Sequence, residues 1–206
     1  ITLYYMDYDN QLVLTGKINE VGYPIMTNVK DSYRSGIELE FGFNFLEKIQ
    51  WSGNLTVSQN VIKNFTQSID NWDYWDDPAN EPFQIEEEIG TSRIAFSPSL
   101  VAASLLQYNI GRNVVLGLNS QYVGDQYIDN SANPDYIIES YFINSFKAAY
   151  TVHTNWAKEL SLSLLVSNLF DAKYESNAWL YRYYSSGQEG FLDGYYPQAG
   201  RHFLLG

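Results

Sequence analysis

The stretch Gly36 to Phe45 constrains this chain more than any other. Ile37, Leu39, Phe41, Phe43 and Phe45 alternate with Gly36, Glu38, Glu40, Gly42 and Asn44, and a period of two belongs to a β-strand. One face of that strand is apolar and aromatic; the other carries two carboxylates and faces water. A soluble sandwich points the apolar face at a core, whereas a transmembrane barrel points it at lipid and leaves Glu38 and Glu40 in a wet lumen. The pattern recurs. Trp51, Leu55 and Val57 alternate with Ser52, Asn54, Thr56 and Ser58; Val114, Leu116, Leu118 and Tyr122 alternate with Asn113, Gly117, Asn119 and Gln121. Phe142, Phe146, Ala148 and Tyr150 alternate with Ser145, Lys147 and Thr151, and Leu160, Leu162, Leu164 and Val166 with Ser161, Ser163 and Ser167. Val115, Val123 and Leu165 blur the pattern.

The connections between these runs are ordered. An opening strand over Ile1 to Leu14 gives way to a loop marked by Thr15-Gly16, Gly22 and Pro24. Long connections are expected near residues 15–28, 66–90, 125–137 and 171–196, and short ones near 46–49, 111–112 and 153–158. Residues 65–88 lose all periodicity and read as a loop with no element of its own, a length that is usually functional or mobile. Pro98 interrupts the run from Ile94 to Ile110 and predicts a bulge or local break, because proline cannot donate to a sheet ladder. Strict alternation of long and short connections predicts eight up-and-down antiparallel strands, with the long loops at one end and the tight turns at the other.

Composition narrows the class. No run approaches the roughly 18 to 20 apolar residues that a spanning helix needs, so a membrane reading of these 206 residues is a barrel, which satisfies its own backbone. Aromatics reach 17% (18 Tyr, 11 Phe, 5 Trp) while mean hydropathy is -0.28; barrels have that profile, with aromatic girdles and a wet interior. Twelve Lys and Arg against 24 Asp and Glu give a net charge of -12, which argues against nucleic acid, whose phosphates need a basic surface. Cysteine is absent, which excludes disulfides and thiolate metal sites.

Two elements near the end are more specific. Leu160 to Tyr174 reads LSLSLLVSNLFDAKY, a strand closed by Asn168-Leu169-Phe170-Asp171 and followed by Tyr174; Pro197 to Phe203 reads PQAGRHF. In this order they resemble the closing hairpin of the TonB-dependent receptors, whose penultimate strand ends in Asn-Leu/Ile-Phe-Asp/Asn and whose last strand carries Pro-x-x-Gly-Arg-x-Phe. The resemblance implies an all-β fold, the last eight strands of an antiparallel up-and-down transmembrane barrel of about 22 strands. Residues 1–206 are then expected to be a C-terminal segment of the barrel domain, with the plug domain and earlier strands outside this chain, as its opening inside a strand pattern also suggests. It further implies an outer-membrane importer of a scarce solute, such as an iron chelate (siderophore or haem) or similar micronutrient. The expected partners are outer-membrane lipid, that solute, and the TonB complex through the N-terminal region outside the chain, with the long loops extracellular. From other classes, a soluble aromatic-rich carbohydrate-binding sandwich and a passive eight-stranded pore remain as alternatives.

Trp72, Tyr74, Trp75, Tyr136, Trp179, Tyr181 and Tyr183 lie in the long connections, where flat rings with polar tips suit stacking and hydrogen bonding to a solute; the plainer reading is girdle and loop packing. Tyr23, Tyr184, Tyr195 and Tyr196 belong to the same set. No catalytic residue, metal site or cofactor is expected. A hydrolase would need His202 beside a serine such as Ser167, and no spacing selects that. The acidic run from Asp70 to Glu88 lacks the EF-hand pattern and reads as a solvated loop.

Overall fold

The computed structural model describes residues 1–18 and 23–206. Its strands are β1 (Thr2–Ile18), β2 (Pro24–Phe45), β3 (Ile49–Asn71), β4 (Gln84–Arg93), β5 (Leu100–Ile110), β6 (Val114–Val123), β7 (Gln126–Tyr127), β8 (Ile137–Ile138), β9 (Tyr141–Val152), β10 (Leu160–Ser167), β11 (Glu175–Ser185), β12 (Gln188–Pro197) and β13 (His202–Leu205), with one 3-10 turn at Trp72–Trp75. The main sheet follows the path β1-β2-β3-β5-β6-β9-β10-β13, each link antiparallel. These are the eight strands that the connection lengths predict. β1 and β13 stand at opposite ends of the path, so the eight strands form an open sheet, a part of a barrel.

Register fixes the two faces, because directly opposed residues in antiparallel strands project to the same side. Leu39 opposes Leu55 and Leu55 opposes Ala102. Leu118 opposes Leu106 and Phe146, and Ala148 opposes both Leu116 and Leu164. Ile37, Leu39, Phe41, Leu55, Leu116, Leu118, Leu162 and Leu164 therefore share one face. From Ile37–Phe45 across to Leu160–Val166 that face holds no charged residue, although Phe43, Val57, Ile110, Phe142 and Leu162 stand 44–58% exposed on it. The opposite face carries Glu38, Glu40, Asn54, Gln107, Asn119 and Lys147. An apolar belt with no second layer against it is what a lipid-facing surface looks like.

The tight turns close as expected. Leu46 (φ +51) and Glu47 (φ +56) both take the left-handed conformation between Phe45 and Ile49, the paired positive φ of the primed turns that match strand twist. Pro98 lies in the gap between β4 and β5, where its carbonyl accepts from Ser58 Oγ.

Several loop expectations need correction. Thr15 and Gly16 lie inside β1 rather than in a loop, and β2 begins at Pro24; Gly22 lies outside the described residues. Residues 65–88 are not an elementless loop: β3 continues to Asn71, and β4 returns antiparallel from Asp70↔Gln84 to Val61↔Arg93. The buried face of this extension is Phe65, Gln67, Ile69 and Asn71. Two of the four are amides whose hydrogen bonds go to Asp129, Glu81 and the Pro82 carbonyl, so polar residues at core positions erase the hydropathy period. Residues 171–196 likewise hold the β11–β12 hairpin, and 125–137 begin and end in the short β7–β8 ladder.

Burial concentrates at this end of the sheet. One cluster joins Val13, Val29, Ile62, Phe65 and Ile94; a second joins Ile128, Ile138 and Ala178, with Phe96 and Leu180 against it.

Candidate functional site

The long connections converge because the β11–β12 hairpin folds back onto β3, pairing in parallel at Tyr183↔Asp70 and Tyr184↔Asn71. Asp73, in the 3-10 turn, accepts from the Ser186 and Gly187 backbone N–H groups at 2.6 and 2.8 Å, so its carboxylate caps the hairpin tip. Arg182 anchors the middle. It is 7% exposed and donates to Glu189 Oε1 (2.6 Å), Glu87 Oε2 (3.0 Å) and Gln67 Oε1 (3.1 Å). Burial works against its charge, and the hydrogen bonds and field of Glu189 and Glu87 more than offset that, so its pKa is raised. Gln67 passes the chain on through Nε2 to Asp129, whose other oxygen takes the Ser131 N–H and hydroxyl. Asn130 then ties the 125–137 segment to β1, donating to the Leu14 carbonyl at 2.7 Å and accepting the Ala95 N–H at 2.7 Å. Three long connections are thus one polar-locked unit.

On the other face of the β3–β11 contact is an aromatic shelf. Trp72 stacks on Tyr183 with ring centroids 4.0 Å apart and an 11° interplanar angle. Its indole N–H donates to the Tyr181 hydroxyl at 3.1 Å, and that hydroxyl donates to Asp70 Oδ2 at 2.9 Å. Burial raises the Tyr181 pKa; the Trp72 hydrogen bond opposes this and Asp70 adds to it. Trp72 remains 41% exposed, so part of its ring surface is open.

The seven candidate aromatics do not form one cluster. Trp72, Tyr181 and Tyr183 make the shelf. Tyr74 and Trp75 instead pack edge-to-face with each other and with Phe83, and Trp75 is 69% exposed. Tyr136 is buried, edge-on to Phe191 with the Arg182 guanidinium 5.7 Å from its ring centre, which is a packing position; burial and the Glu189 charge raise its pKa. Trp179 lies across Gly194, its cross-strand partner, so closely that a β-carbon there would collide with the indole. Among the further tyrosines, Tyr23 and Tyr196 are exposed, while Tyr195 donates to the Ile137 carbonyl. The sequence reading missed Arg182, Gln67 and Asn130; a cation set among tyrosines in an acidic connection was the available signal for Arg182.

The two elements near the chain end form one junction. Asn168 (φ +51) and Asp171 (φ +56) occupy left-handed positions that Asn and Asp tolerate better than most residues. Asn168 accepts the Ala172 N–H and donates to the Ala172 and Ala199 carbonyls. Asp171 Oδ1 accepts the Arg201 N–H at 2.7 Å, and a β-carbon at Gly200 would stand 2.7 Å from that oxygen. Asn168, Asp171, Gly200 and Arg201 are therefore the stitch that sends the chain from β10 through the hairpin and back into β13. Register opposes Ser167 and His202, but the imidazole Nδ1 lies 3.0 Å from the Gly200 carbonyl, and among the described residues no hydrogen bond joins the pair. No group of three or more His, Cys, Asp or Glu is placed to hold a metal among the described residues.

Comparison with known proteins fits this geometry. The siderophore receptor PiuA from Acinetobacter baumannii superposes at a TM-score of 0.67 with 18% identity, covering 98% of this chain and 24% of that one. The ferric-catecholate import receptor Fiu from E. coli gives 0.63 and 22%, again over 98% and 24%. The ferric yersiniabactin uptake receptor FyuA from Yersinia pestis gives 0.61 and 18%, over 98% and 26%. The chain thus spans about a quarter of the length of these structures, and at such identities the likeness establishes the fold. No curated protein matches. The family model described as TonB dependent receptor-like, beta-barrel, matches residues 1–169; with the apolar belt, the open eight-strand path and the Asn168–Arg201 stitch, this makes the chain a member of the TonB-dependent receptor β-barrel family.

Proposed function

We propose that residues 1–206 are the C-terminal segment of the barrel domain of an outer-membrane, TonB-energised importer, and that their long connections help to capture an iron chelate. The plug, the earlier strands and the TonB-engaging region belong to the rest of that protein. The apolar belt sits in lipid and the long-connection end faces outward; the protein is a transporter and not an enzyme. The observation that carries solute capture is the Trp72–Tyr181–Tyr183 shelf, assembled from two connections more than a hundred residues apart and held rigid by Asp73 and Arg182. Rigid aromatic surface with hydroxyl tips binds at low ordering cost. The iron reading draws its support from the similar structures, a siderophore receptor, a ferric-catecholate import receptor and a ferric yersiniabactin uptake receptor.

The test is growth and uptake by a deletion strain on single iron, cobalamin and glycan sources. Loss confined to iron chelates is the expected result, and loss confined to glycans overturns the reading. In the intact receptor, replacing Trp72, Tyr181 and Tyr183 by Ala is expected to weaken chelate binding while the barrel still assembles. The same replacement at Tyr74 and Trp75 separates the two aromatic clusters.

A further inference from the structure

The charge of this protein is concentrated at the end that carries the shelf. Segments 64–90, 125–139 and 172–198 hold fifteen of the 24 acidic residues and two of the 12 basic ones. Of those two cations, Arg182 is buried between Glu87 and Glu189 and offers nothing to an approaching anion. The rest of the chain is close to neutral, so the net charge of -12 is a property of these connections.

Register places part of this charge beside the rings. Asp70, Ser68 and Thr66 oppose Gln84, Glu86 and Glu88 on β4, and Asp70 also opposes Tyr183 on β11. Glu86 and Glu88 therefore share the face of Asp70, Tyr181 and Tyr183, whereas Glu87 points to the other face and is spent on Arg182. Glu86 and Glu88 are exposed and take no part in the polar lock.

We infer that this end of the receptor selects solutes by charge, taking metal chelates that are neutral or cationic and rejecting multiply anionic ones. The inference rests on the reading of the shelf as a capture surface and adds the class of chelate to it. A trianionic complex approaching the shelf meets a repulsive field from Asp70, Glu86 and Glu88, whereas a cationic complex is steered toward it and gains cation–π attraction from the ring faces. Fields of this kind change association rates by about tenfold or more at low salt. They fade as the Debye length shrinks from about 30 Å at 0.01 M to about 3 Å at 1 M.

The experiment uses the full-length receptor in detergent and measures association of three probes of similar size: a ferric tris-catecholate of charge 3−, a neutral ferric tris-hydroxamate and a monocationic ferric tris-hydroxamate. The expected order at low salt is cation, then neutral, then trianion, with about tenfold or more between the extremes and convergence at high salt. Glu86→Lys with Glu88→Lys is expected to narrow or invert the order, and Glu86→Gln with Glu88→Gln to fall between, which controls for folding. Association of the trianion as fast as the neutral probe at low salt, or an order unmoved by the lysine pair, overturns the charge inference. If all three bind and Trp72→Ala weakens them equally, the capture reading survives that failure. Absence of binding by all three overturns both.

Discussion

Replacing Arg182 by Met should loosen the β11–β12 hairpin and leave the barrel strands alone. The guanidinium makes three hydrogen bonds, at 2.6 Å to Glu189, 3.0 Å to Glu87 and 3.1 Å to Gln67. Removing one partner of a fully buried ion pair costs about 3–5 kcal/mol, because the abandoned charge has no water. Here the carboxylate side chains are 31% and 42% exposed and regain water when Arg182 is lost, so most of that penalty is avoided. Gln67, 2% exposed, keeps Asp129 on Nε2 but strands its Oε1. About 2 kcal/mol remains, from the lost charge-assisted bonds and one buried acceptor. That corresponds to roughly thirtyfold more of the opened state. The assay is amide hydrogen exchange on the full-length receptor, comparing hairpin residues 178–195 with Leu106 and Leu118 on β5 and β6. Exchange accelerated about thirtyfold in the hairpin and unchanged in β5 and β6 is expected, with Arg182→Lys, which cannot reach three acceptors at once, in between. Acceleration under about twofold, or an equal rise in β5 and β6, would refute a local lock.

Leu118→Arg or Leu164→Arg should cost about 2–4 kcal/mol of folding stability in bilayers if the belt faces lipid, and Asn119→Arg, one residue away on the opposite face, far less; equal effects would sink the face assignment. Gly200→Ala should push the Asp171 carboxylate off the Arg201 N–H and destabilise the β10–β13 closure by about 1 kcal/mol, read as a lowered denaturation midpoint. Since the Tyr181 pKa is raised, its contribution to hairpin docking is fully present below the ordinary tyrosine value near 10 and is lost as pH rises through the higher folded value. Hairpin exchange protection should therefore fall with pH above about 10 in the parent and less steeply in Tyr181→Phe.

What the sequence by itself determined is the membrane-crossing part. Side chains alternate across a strand with a period of two, so Ile37 to Phe45 or Leu160 to Val166 states which residues share a face before any partner strand is known. Turns such as Phe45–Ile49 are equally local. The Asn168 and Arg201 elements are local too, since their residue types suit left-handed and close-approach positions. The tertiary structure alone decided the long-connection end. There Phe65, Gln67, Ile69 and Asn71 share a buried face, and because half of it is amide no hydropathy period marks the strand. Its burial is possible because acceptors and donors arrive from elsewhere, Asp129 and Arg182 to Gln67, Glu81 and Pro82 to Asn71. The same holds for the site. Trp72, Tyr74 and Trp75 are neighbours in the chain, yet Trp72 finds its stacking partner at Tyr183 while the other two turn to Phe83. A ring's partner is set by which hairpin tip Asp73 caps and where Arg182 pins it, and the contacts of Asp73 with Ser186 and Gly187 and of Arg182 with Gln67 span more than a hundred residues and leave no periodic trace.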